Sequence, residues 1–73
     1  MIFNERLRIL REEHNWTQEK VARAVDMPLR TYSRLEADGA KTHYDTLIKL
    51  ADFYDVSVDW LMGRTDRREV NRS

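Results

Sequence analysis

Apolar side chains recur along this chain three or four positions apart, a spacing that places them on one face of an α-helix. Five such patterns follow one another and predict five short helices. The first helix runs from about Phe3 to His14, with Asn4 as its N-cap. Its apolar face consists of Phe3, Leu7 and Leu10. The alternating stretch Val56-Ser57-Val58 is too short for a strand, so the predicted fold class is all-α.

Two helices joined by a tight turn are predicted in the next segment. Thr17 suits the N-cap of a second helix that runs from Gln18 to about Ala24. Asp26 stands where the chain must reverse. Pro28 suits the first turn of a third helix, which runs to about Ala37.

The second half of the chain predicts two more helices and a tail. Residues 42–45 have the pattern of a capping box with Thr42 as the cap, although His43 is an alternative boundary. Asp55 ends the fourth helix, and a short fifth helix lies between Ser57 and Gly63. Residues 1–63 are therefore predicted to form one domain. Residues 64–73 have no apolar period and are predicted to form a mobile C-terminal tail.

The composition excludes several classes of protein. A chain of 73 residues is at most one domain and buries only about 60% of its unfolded surface. It has no cysteine, hence no disulfide and no thiolate zinc site, which fits a reducing cytoplasm. The sequence has neither an apolar run of membrane-spanning length nor a signal peptide. We therefore expect a cytoplasmic protein.

No catalytic or cofactor chemistry is predicted. His14 and His43 are far apart, with no carboxylate or thiolate at ligand spacing, so no metal site is expected. A nucleophile–base pair and a glycine-rich phosphate loop are also missing from the sequence. We expect no cofactor and no enzymatic activity.

Charge favours no partner by itself, because 13 Lys and Arg balance 13 Asp and Glu. A case for nucleic acid must therefore rest on where the charges lie. Tyr32 and Leu35 fall on one side of the third helix, opposite Arg30 and Arg34. Arginine forks match guanine in the major groove, and they match phosphate equally well. The N-terminus of the second helix is a further seat for phosphate. The alternative is an ordinary solvated face on a small helical bundle.

The chain also resembles a known family. The segments Thr17-Gln18-Glu19, Val21-Ala22, Thr31-Tyr32-Ser33-Arg34 and the residue Glu36 are similar to the helix-turn-helix of lambda-repressor-like, or Cro-type, regulators. This places the helix-turn-helix at about residues 17–37. The resemblance extends in order from Phe3 to Gly63 and implies five helices, the third of which enters the major groove.

The resemblance also implies roles for individual residues. The base-reading positions would be Leu29, Arg30, Thr31 and Arg34. The residues expected to contact phosphate are Thr17, Gln18, Ser33, Lys41, Thr42, His43 and Tyr44. Arg11 and Glu36 match an ion pair that ties the first helix to the third. Asp26 and Asp38 stand where the family usually has glycine, and Pro28 replaces its usual Ser or Thr N-cap.

We therefore expect a sequence-specific regulator of double-stranded DNA, most simply a repressor, that acts as a homodimer with recognition helices about 34 Å apart. Three residues, Val58, Trp60 and Met62, are too apolar for a plain surface on so small a domain. The two explanations are a dimer seam formed by these residues and ordinary packing within the chain. Regulation would come from concentration, from its own promoter or from a partner protein, as is typical of prophage and mobile-element regulators. The alternative is a protein-binding module on the same fold, such as an antitoxin or a partner-regulated adaptor.

Overall fold

The computed structural model describes residues 2–38 and 42–70, and every regular element in this part of the chain is a helix. The helices are α1 (Ile2–Glu13), α2 (Gln18–Ala24), α3 (Leu29–Ala37), α4 (Tyr44–Tyr54) and α5 (Val58–Leu61). Helix α3 packs against α1 and α2, while α5 packs against α1 and α4. The predicted all-α fold with five helices is confirmed.

Helices α1, α2, α4 and α5 end in the same way, with one residue in the left-handed conformation. These residues are Asn15 (φ 57°), Asp26 (φ 55°), Asp55 (φ 56°) and Gly63 (φ 84°). After each of them, the next residue's N–H donates back to a carbonyl in the last turn, for example Met27 to Ala22 at 2.8 Å. This is the Schellman arrangement, and Asn and Asp are the side chains that best tolerate it after glycine. The polar breaks in the sequence therefore do mark helix ends.

The helix starts differ in part from those predicted. The Thr17 and Ser57 hydroxyls cap α2 and α5 by accepting from Lys20 N at 3.1 Å and Trp60 N at 3.2 Å. The N-caps of α3 and α4 are Pro28 and His43, and neither provides a side-chain hydrogen bond. Pro28 was predicted to lie in the first turn of α3, but it is the residue just before that helix. At α4, the cap is His43, the alternative boundary, rather than Thr42.

The prediction for Asn4 was wrong. Helix α1 already includes Asn4, whose side-chain amide donates to the carbonyl oxygens of Glu36 at 3.2 Å and Ala37 at 3.4 Å. The last carbonyls of a helix lack partners within it, so Asn4 satisfies the end of α3 rather than the start of α1. Local pattern cannot reveal this, because the partner is more than thirty residues away.

One apolar core lies between the helices. Its least exposed large side chains are those of Leu7, Leu10, Val21, Tyr32, Leu50 and Leu61. Trp16, Met27 and Val58 pack against its edge. Trp16 is therefore only half-buried, and its ring stacks on that of His14 with centroids 4.2 Å apart.

The segment that follows α5, which was predicted to be a mobile tail, makes several contacts with the domain. Arg6 on α1 donates to the carbonyls of Trp60 and, at 3.0 Å, Thr65. The carbonyl of Arg68 accepts from Ser57 N at 2.9 Å, and its guanidinium pairs with Glu13. The sequence has no apolar period here because polar and charged groups, rather than a buried stripe, make these contacts.

Candidate nucleic-acid interface

Helix α3 has one buried and one exposed side. Tyr32, Leu35 and Glu36 are buried. The four side chains at the predicted base-reading positions are all exposed, namely Leu29, Arg30, Thr31 and Arg34. Leu29 stands out among them, because 44% of an aliphatic side chain remains exposed. Two guanidinium groups and two shorter side chains therefore share a surface that an α-helix can present to a major groove.

A polar network holds α3 in place from its buried side. The Arg11 Nε and Nη2 atoms donate to the Glu36 carboxylate at 2.7 and 3.0 Å, and Nη1 donates to the carbonyl of Trp16 at 2.9 Å. Glu36 also accepts from the Gln18 amide at 3.1 Å. The oxygen of that amide accepts from the Ser33 hydroxyl at 2.8 Å. The network thus joins α1, the α1–α2 turn, α2 and α3.

The electrostatics of Glu36 follow from this network. Burial by itself would raise the pKa of its carboxyl group. Hydrogen bonds to the carboxylate, led by the one from Arg11, outweigh burial and lower the pKa below its ordinary value of 4.5. The same hydrogen bond raises the pKa of Arg11. Glu36 is therefore an anion at neutral pH, with a side chain only 4% exposed.

Gln18 and Ser33 make internal hydrogen bonds that the sequence did not predict. Both were expected to contact phosphate. The single hydroxyl proton of Ser33 is donated to Gln18, so in this arrangement Ser33 has no proton left for a phosphate oxygen. The sequence carries no signal for this bond, because the two residues lie fifteen positions apart on different helices.

The remaining phosphate candidates lie at the starts of α2 and α4. Thr17 is exposed and caps α2. His43 and Tyr44 are exposed at the start of α4, Tyr44 by 63%, and Thr42 is half-buried beside them. Lys41 lies outside the described residues. His43 and Tyr44 are therefore accessible from solvent at the start of α4.

Of the three residues predicted for a dimer seam, Trp60 is buried and the other two are more accessible. Trp60 is 8% exposed, and the guanidinium carbons of Arg6 and Arg68 lie 4.7 and 5.3 Å from its ring centroid. The Trp60 ring therefore contacts two arginine side chains of its own chain. Met62 is 38% exposed and Val58 is half-buried, and together with Tyr44 and Val70 they line an open groove between α4, α5 and the segment that follows.

Within residues 2–38 and 42–70, no group of three or more His, Asp or Glu side chains is arranged to hold a metal ion. None of the described helices has both the length and the apolar character needed to cross a membrane.

Two short helices, joined by a turn at Asp26 and fixed by a buried network, define a helix-turn-helix protein. The chain belongs to the Cro/C1-type helix-turn-helix family, whose model matches residues 7–61. It is 40% identical over 65 residues to the uncharacterized HTH-type transcriptional regulator YobD of Bacillus subtilis, an alignment that covers 89% of this chain and 58% of that protein.

Two further relatives have more informative names. The chain is 30% identical over 73 residues to the HTH-type transcriptional regulator ImmR of Bacillus subtilis, covering 100% of this chain and 58% of ImmR. It is 33% identical over 64 residues to the cryptic phage CTXphi transcriptional repressor RstR of Vibrio cholerae, covering 88% of this chain and 57% of RstR. The chain therefore spans less than three fifths of these curated relatives. No solved structure gives a significant match.

Proposed function

We propose that this chain binds double-stranded DNA in a sequence-specific manner as a transcriptional regulator, with α3 in the major groove. The observation that carries the proposal is the exposure of Arg30 and Arg34, one turn apart, on a helix whose opposite side is buried and held by Arg11 and Glu36. Relatives named as transcriptional regulators support it. Leu29 and Thr31 would complete the base-reading surface, with the Leu29 side chain against a thymine methyl group.

The phosphate contacts are proposed at the edges of this surface. Thr17 and Gln18 would contact the backbone beside α2, and Thr42, His43 and Tyr44 would contact it beside α4, with Lys41 assisting. Because the net charge is zero, these contacts position the protein without strong non-specific attraction. We expect weak binding to random DNA at physiological salt.

A titration of labelled DNA from the upstream region of its own gene tests the proposal. Arg30→Ala and Arg34→Ala should each cost about 1–3 kcal/mol of binding free energy and relax the preference at particular base pairs. The matched control is Arg23→Ala, because Arg23 is an exposed arginine on α2 that lines a pocket with Trp16 and Phe53 and is not one of the proposed base-reading residues. Absence of binding at low salt, or binding insensitive to both α3 substitutions, would overturn the proposal in favour of a protein-binding module.

We further propose that the chain acts as a repressor and as a homodimer. The name of the relative RstR supports repression. For the dimer we propose Val58 and Met62 as seam residues without the ring of Trp60, which is occupied within the chain. Sedimentation of the protein with DNA carrying one or two half-sites tests this. Met62→Lys should abolish cooperative binding to two half-sites while leaving binding to a single half-site intact.

Two further expectations belong with this proposal. A DNA-binding regulator of this kind would act in the cytoplasm, on the nucleoid. A regulatory protein partner would alter its occupancy of DNA, and a pull-down with the wild-type chain as bait tests that expectation.

A further inference from the structure

The bond between Ser33 and Gln18 lies at the border between the buried and the exposed side of α3. Ser33 is half-buried and is adjacent in sequence to Arg34, whose side chain is exposed. Its partner Gln18 is the first residue of α2. The bond therefore joins the two helices of the helix-turn-helix at the position where the exposed surface of α3 begins.

The direction of each hydrogen bond is fixed by chemistry. The ionised Glu36 carboxylate can only accept, so the Gln18 side chain must present its NH2 group to it. The amide oxygen of Gln18 then faces Ser33, and the Ser33 hydroxyl must donate. Arg11 fixes Glu36 through two further hydrogen bonds. The buried Glu36 therefore sets the orientation of the Gln18 amide, and the Gln18 amide sets the orientation of the Ser33 hydroxyl.

This chain of bonds restricts how α3 can rotate about its own axis. Rotation would move the Ser33 hydroxyl out of the 2.8 Å contact and would leave the half-buried Gln18 oxygen unsatisfied. The same rotation would shift Arg30 and Arg34 relative to the groove. Recognition of a base by an arginine fork needs close alignment, whereas a phosphate contact tolerates displacement.

We propose that Gln18 and Ser33 are positioning residues for base recognition: their bond sets the angle at which Arg30 and Arg34 meet the DNA, and Ser33 does not itself bind phosphate. This inference rests on the proposed DNA-binding function. It replaces the phosphate role expected for Ser33, and it gives Gln18 a role inside the protein beyond any contact that it makes with DNA.

The test compares Ser33→Ala with Ser33→Thr. Alanine removes the hydroxyl and preserves the helix, whereas threonine keeps the hydroxyl. Each protein is titrated against its preferred site, against single-base-pair variants of that site, and over a range of salt concentrations. His43→Ala is the reference for loss of a phosphate contact, and Arg30→Ala is the reference for loss of base reading.

For Ser33→Ala we expect affinity for the preferred site to fall about three- to tenfold, the scale of one lost hydrogen bond. Affinity for the single-base-pair variant sites should fall less, so the ratio of the affinity for the preferred site to the affinity for a variant site should decrease. The slope of log K against log salt concentration should not change. Ser33→Thr should restore discrimination. Thermal unfolding checks that both variants remain folded.

Several results would overturn the inference. A salt slope reduced by about 0.9 with unchanged discrimination would identify Ser33 as a phosphate ligand instead. Unchanged affinity and discrimination in Ser33→Ala would show that the bond positions nothing. If the wild-type protein binds no DNA, the proposed function itself fails, an outcome distinct from wild-type binding that Ser33→Ala leaves unaffected.

Discussion

Arg11 and Glu36, twenty-five residues apart, form a two-pronged ion pair that fixes α3 to α1. The arginine side chain is 15% exposed and the glutamate side chain 4% exposed. A pair so far removed from water contributes less net stability than its close contacts suggest, because both charges lose hydration. The main effect of the ion pair is to fix the position of α3 relative to α1. If either residue is lost, the other is left as an unpaired buried charge.

Loss of one partner should therefore destabilise the protein more than loss of both. Arg11→Met leaves Glu36 buried without its cation and should lower the free energy of unfolding by about 3 kcal/mol. The double variant Arg11→Met/Glu36→Met should recover most of that loss. Arg8→Ala, at an exposed position on the same helix, is the control. Urea denaturation measures all four proteins, and equal loss in the single and double variants would contradict this account.

Stability should decline in acid partly because of Glu36. Its pKa is lowered in the folded protein, so its contribution is complete above the ordinary carboxyl pKa of 4.5. The contribution disappears as the pH falls through the lower folded pKa. Unfolding free energy measured from neutral pH downward should therefore fall less steeply in Glu36→Gln than in the wild type. Parallel curves for the two proteins would show that Glu36 does not titrate in this way.

Replacement of Arg34 by lysine tests the proposed base-reading role of this residue separately from its charge. Lysine keeps the positive charge but lacks the planar fork that binds the O6 and N7 atoms of guanine together. Arg34→Lys should lose about 1–2 kcal/mol at the preferred site with little change in salt slope. Full affinity in that variant would mean that Arg34 contacts phosphate. Site selection from random DNA supplies the preferred sequence for the measurement.

The segment after α5 should contribute to stability through Arg68. Its guanidinium lies over Trp60 and pairs with Glu13, with both ionic side chains about two fifths exposed. Arg68→Ala should cost about 1 kcal/mol, and part of that cost should vanish in high salt. Arg67→Ala removes the same charge from the exposed neighbouring position and serves as the control. An equal free energy of unfolding for the Arg68→Ala and Arg67→Ala proteins would show that the contacts of Arg68 do not stabilise the fold.

The turn between α2 and α3 should become more stable with glycine at position 26. Asp26 has φ 55°, a conformation that costs a side chain energy and costs glycine none. Asp26→Gly should raise the unfolding free energy by up to about 1 kcal/mol, and Asp26→Ala should lower it. Asp52→Gly, within α4, should destabilise the protein and so shows that the effect belongs to the turn.

Much of the fold followed from local pattern. Helix ends were predicted near Asp26, Asp55 and Gly63, where the structure has a left-handed residue, because such a residue is a local requirement. The caps at Thr17 and Ser57 follow from the same kind of rule. The exposed face of α3 was also predicted, since its spacing is set by the helical period alone.

Three residues have partners that the sequence did not predict, for one physical reason. Asn4 was expected to cap α1, Ser33 to contact phosphate and Trp60 to lie in a dimer seam. Each of them has a partner on another helix. A polar side chain can form its hydrogen bonds with several different partners, and an aromatic ring can be buried in several different places. Which of these occurs depends on the residues that pack around it in the folded protein. The contacts after Gly63 belong to the same category, because their donors and acceptors are charged groups and backbone carbonyls.

The sequence by itself determined the five helices, their breaks and the two arginines on the open face of α3, since each depends on residues within a few positions of one another. Tertiary structure decided which polar groups face inward. It bound Glu36 to Arg11 and Gln18, turned Ser33 toward Gln18 and enclosed Trp60 between Arg6 and Arg68. Most of these partners are far apart in the sequence. They come within contact distance only when the helices pack together and exclude water from between them.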